Sequence, residues 1–191
     1  CWSPDGRYLS YMHREIMPAT DSRQPYAGRY RPIVHVHDLL TNQDRTFGRG
    51  IMQGFGPCWA NNRNWLFFVQ SAENDGGFAG PQGYPVMWLD ADTGRVTKIG
   101  DGLDQLGGVD CNDEWVYGGI KDTSRKPAFR AARVRIAPQG GVQELRDVTG
   151  FQWVPNPRHP VLHTRHDHSD EPFGANRWFW DLNGTHRRIG Q

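Results

Sequence analysis

One unit recurs four times along the 191-residue chain, and it limits the fold more than any other feature. With Trp2, Trp59, Val109 and Trp153 in register, the anchors stand 57, 50 and 44 residues apart. Seven residues after the first three anchors come Leu9, Leu66 and Val116, and the fourth unit reaches Val161 and Leu162 through a slightly longer turn. Between anchor and second apolar run lie "SPDG", "ANNR", "DCND" and "VPNP". Each holds Asn, Asp, Gly or Pro, which accept tight-turn dihedrals or preset them. A second half follows in every unit: "PIVHVHDLLTNQDRTF", "PVMWLDADTGRVTKI", "ARVRIAPQGGVQEL" and "NRWFWDLNGTHRRI". All four read as a strand, a turn and another short strand. Asp38, Asp90 and Asp181 take one equivalent place, where the third unit has Ala137. The differences in length fall mainly in insertions around 16–32 and 71–84.

Four short strands per unit, at a period of about 45 residues, is what a β-propeller blade requires. The expected fold is all-β, with four-stranded antiparallel blades at 1–48, 49–102, 103–148 and 149–191. The anchor strand lines the central channel, "RYLSYMH" and "WLFFVQS" come second, "VMWLDAD" third, and "RVTKI" forms the outer edge. A lone blade cannot bury both of its faces, so successive blades must stack and fill the gaps with Trp, Leu and Val. Twelve per cent aromatic residues, with 23 Gly and 13 Pro, suit many short strands. No long stripe of 3.6-residue period with caps favours a helix. Residue 1 falls within an innermost strand and Gln191 just after an outermost one. About four consecutive blades of a larger, six- to eight-bladed ring are therefore expected.

Charge narrows the partners. Lys and Arg number 22 against 21 Asp and Glu, a net charge of +1. Such a balance gives no electrostatic case for nucleic acid or an anionic membrane surface. No apolar run approaches a membrane span, and no signal peptide is visible. A soluble protein is expected, with cytoplasm, periplasm and secretion all left open. Cys1, Cys58 and Cys111 form no CxxC pair, and small buried hydrophobes are their expected role.

"WSPDGRYLSY" followed by a "VMWLDADTGRVTKI" segment resembles the TolB-like propeller repeat, which implies a propeller used for protein interaction or attached to a peptidase. A second resemblance spans all four units: "AFRAARVRI" before a Gly-rich turn, then "TGFQWVPNPRHPVLHTRHDHSD", then "RWFWDLNGTHRRI", is similar to the oligogalacturonate lyases, which are seven-bladed propellers. That family has an Arg where Arg130 stands, and its Cys-His-Glu-Gly strand end places a substrate-site His on His166. It also has a catalytic His after a Gly at the start of the next blade, where this chain has Phe151 after Gly150. The family's metal histidines would lie beyond Gln191, so any divalent cofactor would be held outside this stretch.

The chemistry explains the residue types. A uronate lyase removes the weakly acidic proton beside the sugar carboxylate and expels the glycosidic oxygen. A guanidinium or divalent metal on the carboxylate stabilises the developing enolate, and a nearby base takes the proton. Arg130 suits the carboxylate, because its planar fork matches two oxygens. Phe151 cannot accept a proton, which argues against full elimination activity.

Other residues carry plainer readings beside the sharp ones. Arg130 next to a strand also suits a solvated blade edge. On a strand, His166 and His168 share one face and His163 takes the other; with Asp167 or Asp170 nearby, the pair is a metal candidate that matches no dedicated zinc spacing. His35 and His37 share a strand face in the same way. "NDGGFAGPQG" lacks the Lys-Ser/Thr ending of a phosphate loop and reads as a blade loop. No Gly-x-Ser-x-Gly elbow is present. Tyr26, Tyr30, Phe78 and Tyr84 are expected in exposed loops, where they could stack on sugars. Three functions follow: a carbohydrate-active propeller binding or cleaving uronate oligosaccharides, a TolB-like propeller binding a protein segment at its mouth, and the propeller domain of a larger peptidase.

Overall fold

The computed structural model describes residues 1–16, 30–49, 56–70, 84–110, 112–121, 129–138, 140–145, 150–152, 161–165, 176–180 and 186–188. Their regular structure is strand throughout. The first sheet runs in the order β1 (Tyr8–Ile16), β2 (Tyr30–Asp38), β3 (Gln43–Arg49). The second holds β4 (Cys58–Trp59), β5 (Trp65–Val69), β6 (Tyr84–Asp90) and β7 (Arg95–Leu103). The third holds β8 (Gln105–Val109), β9 (Trp115–Lys121), β10 (Phe129–Arg135) and β11 (Val142–Glu144). The fourth holds β12 (Gly150–Gln152), β13 (Val161–Arg165), β14 (Asn176–Trp180) and β15 (His186–Arg188). Every neighbouring pair is antiparallel and follows chain order, so each sheet is a meander. In the first sheet Trp2 stands where the others have their innermost strand, and it makes a single bridge to Leu9.

Alternation along the strands explains the stacking. On one side of the first sheet Tyr8, Val34 and Val36 are buried, and they cluster with Leu66, Phe68, Leu89 and Ala91 of the second. The opposite side of the second sheet puts Phe67, Val69, Val86 and Ile99 against Val109, Val116, Ala132 and Val134 of the third. One face of the second sheet thus meets the blade before it and the other the blade after. This two-sided burial makes "WLFFV" a continuous apolar run rather than an alternating one.

In the first and third sheets the turn after the anchor is held by a short side chain. Ser3 Oγ accepts the Tyr8 amide at 2.9 Å, and Asp5 accepts the Arg7 amide at 2.9 Å. At the equivalent place in the third sheet, Asp110 accepts the amides of Glu114 at 2.6 Å and Trp115 at 3.0 Å. Gly6 and Asp113 occupy the same turn position with φ of 74° and 56°. In a meander, the turns joining first to second strand and third to fourth strand gather at one end of the blade. That end carries the site described next.

Candidate functional site

An open cleft of about 580 Å³ lies where the turns of the first two blades meet. Pro4 and Asp5 come from the first turn of blade one, Asn61 to Trp65 from the first turn of blade two, and Asp90 and Asp92 from its second turn. Asp90 and Asp92 are there because Asp90 ends β6 and folds the chain back: its Oδ1 accepts the amides of Asp92 at 3.1 Å and Thr93 at 3.3 Å. Asn61 and Asn62 are presented by Asp113 of the third blade, which accepts their amides at 2.7 and 2.9 Å.

Polar bonds across the junction fix the cleft's floor. Asn64 Nδ2 donates to Asp5 at 2.8 Å and to both oxygens of Asp92 at 3.2 Å. The Tyr8 hydroxyl donates to Asp92 at 3.0 Å. Arg7 forks onto Asp38 through Nε at 3.2 Å and Nη2 at 2.8 Å, and stands 3.7 Å from Asp92. The Arg7 amide, then Ser3 and Asn64, hold the Asp5 carboxyl below its usual range. The guanidinium of Arg7, helped by the Leu40 amide, holds Asp38 well below it. Burial first, and then the bond to Asp92, push the Tyr8 hydroxyl up to about 12. One wall is aromatic: Trp65 packs against Trp88 with centroids 4.5 Å apart, and the Arg63 guanidinium lies 4.3 Å over the Trp65 ring.

A second polar cluster covers the far side of the first sheet. His35 Nδ1 lies 2.8 Å and His37 Nδ1 3.9 Å from Asp44. Tyr11 stacks on His35 at 4.8 Å, with His13 edge-on at 6.1 Å. Burial works against the Asp44 carboxylate, but bonds from His35 and Tyr11 hold it below its usual range. The shared strand face expected for His35 and His37 is therefore present, with a carboxylate between them. Among the described residues no group of three or more His, Cys, Asp or Glu is arranged to hold a metal.

Arg130 stands near the start of β10, at the blade end away from the cleft, and its Nη1 donates to Glu144 at 2.6 Å. Phe151 lies within β12. His166 and His168, with Tyr26, Phe78, Cys111 and the "NDGGFAGPQG" segment, lie outside the described residues. Tyr30 and Tyr84 are not loop residues: each begins a strand, and Tyr84 packs half-buried against the apolar cluster between blades two and three. Their position is corrected because the pairing of β1 with β2, and of β6 with β7, extends further than the loop composition suggests. Cys1 and Cys58 are free, and burial pushes the Cys58 thiol up to about 12, which suits a small hydrophobe rather than a nucleophile. The cleft itself was not anticipated. Its signal was the run "ANNRN" beside "DADTG", two polar turns that the repeat places at the same blade end.

No protein-family model matches the sequence, and no curated protein matches it. Solved structures do. The chain is similar to TolB from Acinetobacter baumannii, at 16% identity and a TM-score of 0.53, covering 98% of this chain and 41% of that one. It is similar to the β-propeller domain of the Trilobed protease from Pyrococcus furiosus, at 10% identity and 0.63, covering 97% and 55%. It is also similar to the acylaminoacyl peptidase of Pyrococcus horikoshii, at 9% identity and 0.61, covering 97% and 31%. The fold is a β-propeller, and the likeness to TolB-like propellers extends from the repeat to the three-dimensional structure. The chain spans from about a third to just over half the length of these structures. Among the described residues no helix is long and apolar enough to cross a membrane.

Proposed function

We propose that this chain is propeller structure that holds a polypeptide segment, as a protein-interaction module or as the propeller of a larger peptidase. The cleft between blades one and two carries the reading. It is open, walled by Trp65 and lined by turn side chains whose amides and carboxylates can bond to an extended backbone. The similarity to TolB and to two peptidase propellers supports a polypeptide ligand for either version.

The uronate reading rests on Arg130. Glu144 already takes Nη1 of the guanidinium that a sugar carboxylate would need, which favours the polypeptide reading. Titrating the chain with a panel of unstructured peptides and with uronate oligomers separates the two. Saturable peptide binding that Trp65→Ala weakens supports the proposal. Saturable uronate binding that Arg130→Lys weakens, with no peptide binding, overturns it.

A further inference from the structure

The cleft's chemistry selects among polypeptides. Resting on the reading that a polypeptide binds there, we infer that the cleft takes segments carrying Lys or Arg side chains. Two separate observations lead to this. The first is charge: the lining holds the carboxylates of Asp5, Asp90 and Asp92 against the single guanidinium of Arg63. Arg7, just behind, is forked onto Asp38 and stands 3.7 Å from Asp92, and the Arg45 guanidinium donates to the Ala91 carbonyl of the same turn, yet among the residues that line the cleft itself carboxylates outnumber cations by three to one.

The second is a cation already seated in the cleft. The Arg63 guanidinium lies 4.3 Å over the Trp65 ring, so that indole face is placed to receive a planar cation. Trp65 is itself braced by Trp88. An incoming Arg or Lys can lay its aliphatic stem along Pro4 and the indole edge while its charged end meets the carboxylates of the β6–β7 turn. Arg63 and the ligand then compete for one aromatic face. This gives the proposal a signature that a merely structural role for these residues would not produce: removing the chain's own cation should improve binding.

The test uses three labelled peptides of equal length, one Lys/Arg-rich, one Glu-rich and one of Gly and Ser, titrated by fluorescence anisotropy. The basic peptide should bind most tightly, and added salt should weaken it. Asp90→Asn with Asp92→Asn keeps the side-chain shape and the turn's acceptor oxygens while removing two charges. It should weaken the basic peptide roughly three- to tenfold and leave the Gly/Ser peptide unchanged. Arg63→Ala should strengthen basic-peptide binding several-fold, and its melting temperature shows whether the turn is intact. Equal binding of basic and Glu-rich peptides, or weaker basic-peptide binding in a folded Arg63→Ala chain, overturns the charge selection while the polypeptide reading stands. If no peptide binds, both are wrong.

Discussion

Asp38 is 3% exposed, yet it stays ionised because Arg7 reaches it with two donors and the Leu40 amide with a third. A buried carboxylate without such partners would be neutralised instead. The pair ties the residue before β1 to the end of β2, at the place where the repeat also puts Asp90. Its folded-state pKa is depressed, so the folded chain binds fewer protons than the unfolded one. The stability it contributes is full above the ordinary aspartate range of about 3.9, and it is lost as the pH falls from there through the lower folded-state value. Asp38→Asn should therefore reduce stability at neutral pH and flatten the acid limb of a melting-temperature profile. An unchanged acid limb would assign that limb to other carboxylates, of which Asp5 shifts in the same direction.

Pairing between strands depends on places where no side chain fits. Gly118 of β9 faces the backbone of β8: a Cβ there would collide with the Gln105 carbonyl and press on Leu103 at 3.0 Å. The register of β8 against β9 shifts between Leu106 and Gly108, beside this close approach. The nearest obstacle to Gly118→Ala is backbone, which cannot swing aside as a side-chain end can. It should cost about 1–3 kcal/mol in urea unfolding, as overpacking does, and it should disturb the amide protection of Asp104 and Gln105 first. At Gly6, with φ of 74°, the demand is conformational instead, and Asp113 meets it in the third blade with a side chain that also staples the second blade.

Stacked sheets make one molecule only if the faces between them are dry. Phe67 is fully buried between the second and third sheets, in the cluster with Ile99, Leu103, Val109, Val116 and Val134. Phe67→Ala should cost about 3–5 kcal/mol, from lost transfer free energy and the cavity left behind. Chemical unfolding should show the midpoint falling. A split into two transitions would mean that this face is what couples the two blades. A small loss would mean that the sheets collapse around the hole.

Much of this was legible in the residues. The anchors seven positions before Leu9, Leu66 and Val116, the turn residues between them, and the aspartates at 38 and 90 give the blades and their strand order, because turn dihedrals and strand alternation are local properties. The shared face of His35 and His37 was legible for the same reason. What sequence could not supply was contact between blades. Asn64 meets Asp5 across 59 positions, Tyr8 meets Asp92 across 84, and Asn61 meets Asp113 across 52. No periodicity encodes those distances. Arg130 illustrates the same limit from the other side: its residue type suited a carboxylate, and the register of β10 against β11 supplied one from the chain itself. Local chemistry thus determined the strands, the turns and the repeat, while the cleft and its charge arose only when stacking brought the first turn of blade one against the two polar turns of blade two.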